Sequence, residues 1–201
     1  MKDWAKMIVW ILAAATFICV AVFCFEYFPK DVFAFGMEIG GNNIGGLSKN
    51  EAEEKLEKTV KEFYQKKISF NFLSEEDTYS ESIKIKDIGI NLNIKESLKK
   101  PFYIGKNKTF FENLKEKIGA LQGKYNFPLM AEVSDESFDN FLTENFGQYE
   151  TLPRNADIVF NDKSLNFEIE EPKEGSLFSR EKVKKEIIKD GEYLKINDIY
   201  L

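Results

Sequence analysis

The chain has 201 residues, 43% of them hydrophobic and 31% charged, and 28 basic against 34 acidic residues give a formal net charge of -6. This balance, with no basic block, excludes nucleic acid or an anionic wall polymer as a bulk electrostatic target, since such binding draws on many lysines and arginines neutralising phosphates. There is no histidine, which removes the usual general base near neutral pH, the Ser-His and Cys-His nucleophilic arrangements and the commonest zinc ligand.

The first element is an apolar run. Every residue from Met7 to Phe25 is apolar except Thr16, and the run holds both cysteines, Cys19 and Cys24. At about 1.5 Å per residue it matches the ~30 Å hydrocarbon core of a bilayer. Trp4 and Trp10 lie towards one end and Tyr27 and Phe28 at the other, where amphipathic rings favour the headgroup region. Lys2 and Lys6 precede the run, whereas Glu26, Lys30 and Asp31 follow it. The excess of positive charge in front places the amino terminus in the cytoplasm and the remainder outside, as a single-pass protein. A cleaved signal is the rival, with Ala13, Ala14 and Ala15 as small residues. They sit in mid-run, however, whereas cleavage follows a shorter apolar stretch. Phe23 and Ile18 before the cysteines are too bulky for lipoprotein processing.

Four segments follow in the expected organisation: an anchor over residues 1–28, a juxtamembrane link over 29–35, a lead-in strand and helix over 36–66, and a domain over 67–201. Helix starts recur along this part. Leu47-Ser48, Val133-Ser134 and Phe178-Ser179 each place a capping serine behind an apolar residue, and Glu51 completes a capping box with Ser48. Ala52, Leu56, Val60 and Phe63 share one helical face; Phe138, Phe141 and Leu142 form another; Val183 and Ile187 form a third. Gly147 and Gly191 are expected stops. A further helix starts at Thr109, with Glu112 in the capping-box position, and buries Phe111, Leu114, Ile118 and Leu121. Asn93 to Lys100 forms a shorter one, ended by Pro101.

Strands are expected at Phe35–Ile39, Ile68–Phe72, Ser82–Ile85, Ile88–Leu92, Phe127–Val133, Ile158–Phe160, Leu165–Ile169 and Tyr193–Ile196, with Asn161-Asp162-Lys163-Ser164 as a hairpin loop. The irregular order favours an α+β fold, with Ser-capped helices on a largely antiparallel or mixed sheet.

Candidate chemistry is sparse. Ser48-Lys49 is formally a serine-lysine pair, but adjacent residues at a helix start do not place a base on a nucleophile, and capping explains the serine. Glu168, Glu170 and Glu171 on one segment, and Asp135, Glu136 and Asp139 on another, are the carboxylates available for a glycosidase-type pair. They read more simply as a wet strand face and as helix-dipole partners. Phe102-Tyr103, Tyr125, Phe127 and Tyr149 are the rings near element ends on which a sugar or peptide could lie. Asn107-Lys108-Thr109 fits a glycosylation sequon, although Thr109 already serves as a cap. No catalytic, cofactor or metal residues are assigned, and the ligand-binding residues are left open.

Several pieces together carry a resemblance. Gly45-Gly46-Leu47-Ser48-Lys49-Asn50-Glu51-Ala52 resembles the lead-in of exported bacterial proteins related to VanW and to some L,D-transpeptidases. Asp87-Ile88-Gly89-Ile90, Ile104-Gly105, Val133-Ser134-Asp135-Glu136 with Phe141-Leu142, Ala156-Asp157-Ile158 and Glu174-Gly175 then resemble their peptidoglycan-binding domain. The resemblance implies a non-enzymatic partner of peptidoglycan or another wall component. A transpeptidase module would bring a cysteine nucleophile and a histidine, which this sequence lacks outside its apolar run, so the accessory binding half is expected without the catalytic half. The lipid bilayer is a partner through the amino-terminal helix. The alternative is a scaffold domain that recruits a separate cell-wall enzyme; an unrecognised carboxylate enzyme comes third. No cofactor is expected.

Overall fold

The computed structural model describes residues 2–27, 30–73, 78–161 and 166–201. In chain order its elements are α1 (Lys2–Tyr27), β1 (Glu38–Ile39), β2 (Asn42–Asn43), α2 (Lys49–Gln65), β3 (Lys67–Leu73), β4 (Thr78–Lys84), β5 (Ile90–Asn93), α3 (Ile94–Lys99), α4 (Phe110–Leu121), β6 (Asn126–Phe127), β7 (Met130–Val133), α5 (Asp135–Phe146), β8 (Asp157–Asn161), β9 (Asn166–Glu170), α6 (Arg180–Glu192) and β10 (Ile199–Tyr200). Short 3-10 turns stand at Ile85–Ile88, Pro101–Tyr103 and Gly147–Tyr149. The fold is mixed α and β, as expected. Instead of one larger sheet, the described strands form separate sheets of two or three strands.

The chain divides into two compact units, Met1–Thr59 with Asn93–Met130, and Val60–Leu92 with Ala131–Leu201. The first begins with α1, in which the window Trp4–Phe23 is long and apolar enough to cross a membrane and has none of its residues buried. Its hydroxyl is satisfied internally, because Thr16 Oγ1 donates to the Leu12 carbonyl at 2.9 Å, as a polar group in an apolar helix requires.

After α1, Phe33 is fully buried with Met37, Ile39 and Ile44. Gly40 and Gly41, both at positive φ (56° and 75°), turn β1 into β2, the two-residue hairpin geometry that needs left-handed backbone at both positions. β1 pairs antiparallel with β2 and parallel with β6. The capping box of α2 forms as expected: the Ser48 N–H donates to Glu51 Oε2 at 2.8 Å, and the hydroxyl donates to the same oxygen at 2.7 Å. Asn93 caps α3 by accepting from the Glu96 N–H at 3.0 Å. Pro101 follows the end of α3, although Lys100 keeps right-handed helical angles (φ -66°, ψ -48°).

In the second unit β3 and β4 pair antiparallel from Lys67↔Lys84 to Leu73↔Thr78, and β10 joins β3 in parallel. The core here is aromatic. Phe70 meets Phe146 at 5.0 Å and Phe141 at 5.7 Å between ring centroids, while Phe72 meets Tyr149 at 4.0 Å and Tyr79 at 5.3 Å. Tyr64 turns its hydroxyl inward to accept from the Leu92 N–H at 3.1 Å, and burial raises its pKa.

Several expectations need correction. Ser134 and Ser179 stand at the starts of α5 and α6 without a side-chain capping bond. α5 does end at Gly147, its C-cap, but this glycine has right-handed rather than left-handed angles and opens a 3-10 turn. Gly191 lies inside α6, where a Cβ would meet Ile90 Cδ1 at 2.3 Å, so close packing rather than helix termination uses it. The segment Phe127–Val133 divides into β6 and β7 around Pro128, which has no N–H for a ladder. Tyr193–Ile196 is no strand; Leu194 takes φ 51° there, and the strand comes later as β10. β1 retains only the end of Phe35–Ile39, and Ile85 passes from strand to 3-10 turn. The loop residues Asp162, Lys163 and Ser164 lie outside the described residues, while β8 and β9 on either side pair antiparallel from Asp157↔Glu170 to Asn161↔Asn166.

The largest departure is α4. Three of the four residues expected to be buried are turned outward: Phe111 is 79% exposed, and Ile118 and Leu121 are exposed with it, while Leu114 is half-buried. The buried side chains of this helix are instead Asn113 and Glu116, alongside Gly119 and Ala120.

One polar clamp fastens the second unit. Arg180 at the start of α6 grips Glu150 with two parallel bonds, at 2.7 and 2.8 Å, and the Phe178 N–H donates to the same carboxylate at 3.0 Å. The Arg180 bonds, with a smaller contribution from the Phe178 N–H, lower the Glu150 pKa. A depressed carboxyl contributes stability above its unfolded pKa, and this is lost as pH falls through the lower folded value. Glu150→Gln is expected to lower stability by about 1.5–3 kcal/mol at neutral pH and to flatten the acid limb below about pH 4.3, both read from urea midpoints of the full chain in detergent.

Candidate functional site

The first unit contains a small pocket built on the loop between α3 and α4. Pro101 opens a 3-10 turn that presents Phe102 and Tyr103, and the chain reverses at Gly105, where φ is 75°. A Cβ there would lie 2.7 Å from Lys117 Cγ, so only glycine fits both the angle and the approach.

Two buried polar residues of α4 hold this loop. Glu116, 9% exposed, accepts from the Gly105 N–H at 2.7 Å and pairs through its other oxygen with Lys108. Asn113 accepts from the Lys108 N–H at 3.1 Å and donates to the Lys108 carbonyl at 2.9 Å. Thr109 and Glu112 form the expected capping interaction just beyond, with the hydroxyl donating at 2.6 Å. Buried polar groups with their partners in place make the loop rigid.

The pocket encloses about 250 Å³ and is lined by Phe102, Tyr103, Lys106 and Asn107, with Lys30 and Lys117 at its walls. Lys106 Nζ is buried and finds no hydrogen-bond partner among the described residues. It lies 3.3 Å from the centroid of the Phe102 ring, within cation–π range. Lys49 Nζ lies 4.0 Å from the same centroid. Phe33 packs edge-on against Phe102 at 5.3 Å and an interplanar angle of 83°. Burial, then the charges of Lys49 and Lys117, push the Lys106 pKa down to about 8, while Asp31 acts in the opposite sense. The ammonium is therefore still charged at neutral pH, and it faces a hollow whose other cations repel it. An anion entering that hollow relieves both penalties.

Of the residues singled out from sequence, the structure brings Phe102 and Tyr103 to the pocket. Lys49 joins them from the start of α2, acting over a ring and not on Ser48, whose hydroxyl is engaged by Glu51. Tyr125 and Phe127 stack on each other, 6.0 Å apart and 6° from parallel. Tyr149 packs on Phe72 in the other unit. The acids disperse into ion pairs: Asp135 with Lys184, Asp139 with Arg180 and Glu170 with Arg154. Glu136 and Glu171 are exposed, and the Glu168 side chain lies outside the described residues. The sequon is divided among other tasks, with Asn107 on the pocket wall, Lys108 paired to Glu116 and Thr109 at the helix start. Sequence reasoning missed Lys30, Lys106 and Lys117 as a group. The available signal was the run Lys100-Pro101-Phe102-Tyr103-Ile104-Gly105-Lys106, in which an aromatic pair and a turn glycine are bracketed by lysines.

A pocket that sets lysine ammonium groups beside ring faces on a hydrogen-bonded loop is suited to binding a small ligand. The chain belongs to the family described as the putative peptidoglycan binding domain, whose family model matches residues 81–191, more than half of the sequence. That match includes the pocket loop and α4, and it supports a role in binding the cell wall. Comparison with curated proteins and with solved structures finds no match.

The lowered pKa of Lys106 has a stability consequence of defined sign. Between about pH 8 in the folded chain and about 10.4 unfolded, the unfolded state binds more protons, so stability rises with pH across that window. Lys106→Met is expected to raise the thermal midpoint at pH 7 and to flatten this rise, as followed by circular dichroism of the full chain between pH 7 and 10.

Proposed function

We propose that the protein is a membrane-anchored, extracytoplasmic, non-catalytic module that binds peptidoglycan. The carrying observation is the family match over residues 81–191. The exposed apolar window Trp4–Phe23 supports the anchor, and the flanking charge supports an inside amino terminus. In this reading residues 1–28 anchor the chain, 29–35 link it, 36–66 lead in and 67–201 carry the wall-binding domain. The resemblance to VanW-like proteins assigns it the accessory half of their organisation. Its mechanism is local concentration: a domain confined at the membrane meets the wall as if intramolecularly, so a weak contact suffices.

A protein partner is the second reading, with recruitment of a cell-wall enzyme as its outcome. The β8–β9 hairpin favours it, since Ile158, Phe160, Phe167 and Ile169 are all exposed there, more apolar surface than a short ribbon normally leaves open.

Two measurements test these readings. The full chain in detergent should sediment with purified peptidoglycan sacculi; retention in the supernatant would remove the wall ligand and leave the protein-partner reading. Protease added to intact cells should digest the part after α1, and complete protection would reverse the orientation.

A further inference from the structure

The pocket and the outward face of α4 belong to the same helix and loop, and both lie close to α1 in the chain or in space. Lys30 lines the pocket three residues after Tyr27 ends α1, and α4 packs beside α1. α4 is an inverted helix: its polar residues Asn113 and Glu116 are buried, and Phe110, Phe111, Ile118 and Leu121 are exposed. In water that arrangement leaves four large apolar side chains exposed. Next to a helix that spans a bilayer, the same side chains have a solvent to enter, and amphipathic helices lie in the interface in just this way.

The chemistry of the pocket agrees with that place. Lysines line it, and ammonium groups act as point charges on an anion such as phosphate. Tyr103 is a ring type that settles at headgroup depth. With a volume of about 250 Å³, the pocket has room for one anionic group.

We infer that the first unit has a second membrane contact besides α1: the apolar row of α4 lies in the bilayer interface, and the Lys106 pocket takes the phosphate of an anionic lipid headgroup. This rests on the anchored reading given above. Lys106 supplies the charge that meets the phosphate, with Lys117, Lys30 and Lys49 adding to the field. Asp31 opposes it, and Glu116 is already occupied by Gly105 and Lys108. Occupancy by phosphate restores the ammonium of Lys106 towards its ordinary titration range.

The test uses the full chain with Trp4→Phe, Trp10→Phe and Phe111→Trp, so that the only indole sits on the α4 face. It is placed in vesicles of brominated phosphatidylcholine, alone or mixed with brominated phosphatidylglycerol. Quenching of the indole by the brominated chains is expected in the mixed vesicles, and Lys106→Gln with Lys117→Gln should bring it down to the level seen in phosphatidylcholine alone, since lysines near an anionic surface add to the attraction. The Lys106 titration, read by carbon NMR of the labelled side chain, should move upward on adding phosphatidylglycerol.

An indole as unquenched as in detergent without brominated lipid overturns the interfacial contact. Equal quenching in both lipids and in the double lysine variant overturns the phosphate site. A larger shift of the Lys106 titration by a soluble muropeptide, or by inorganic phosphate alone, than by phosphatidylglycerol assigns the pocket to another anion and overturns the lipid ligand. Failure of the chain to float with vesicles of either composition removes the anchored reading and this one with it, whereas flotation without quenching removes only this one.

Discussion

Glu116 is a carboxylate buried in a helix whose apolar residues face out, and the arrangement of the first unit follows from that inversion. Taking a carboxylate out of water is costly unless its oxygens are met by donors. Here one oxygen takes the Gly105 N–H and the other the Lys108 ammonium, and Asn113 one turn earlier closes both backbone groups of Lys108. These bonds fix the rotation of α4 about its axis. Once Asn113 and Glu116 point inward, Phe111, Ile118 and Leu121 point outward by the 3.6-residue period. The same bonds hold the loop in the one conformation that carries Lys106 onto the ring of Phe102. The exposed row and the pocket are thus two results of one set of hydrogen bonds.

The second unit is held in a different way. Its rings pack into one another along β3 and α5, with Phe146 meeting Phe70, Phe72 and Phe141 and Phe70 meeting Phe141. Aromatic side chains of this size supply the largest burial per residue, and their tilted and edge-on geometries add to it. Such a core is non-directional, and the bidentate Glu150–Arg180 pair contributes the direction by fixing where α6 begins. Neither Ser134 nor Ser179 makes a side-chain cap, so these helix starts are set by packing and by this ion pair.

The contrast explains what could be read from residues alone. Local signals were legible: the Ser48–Glu51 box, the Asn93 and Thr109 starts, the apolar face of α2 and the α1 run all depend on neighbours within a few positions. The outward rotation of α4 was not. Its periodicity gives the correct stripe, but the sign of the stripe depends on Gly105 and Lys108, which are outside the helix. Gly191 failed for a related reason, since glycine serves either left-handed backbone or close approach, and only the position of Ile90 tells them apart. The pocket escaped because its lysines come from Lys30, Lys106 and Lys117, which no spacing rule joins, whereas the paired rings Phe102 and Tyr103 stood out as neighbours.

A net charge of -6 argues against long-range attraction to any anionic surface, yet the pocket gathers lysines. The two facts operate at different distances. Exposed charges are screened beyond about 8 Å at physiological ionic strength, so the acidic balance of the whole chain governs encounter and solubility and has little influence inside a hollow where Lys106 Nζ is shielded from water. For a free domain this would make binding slow, because the overall field repels what the pocket accepts. Under the proposed anchoring, a tether at α1 removes the encounter step and leaves only the local field. An acidic domain with a cationic hollow is therefore better suited to an anion already beside it than to one arriving from solution.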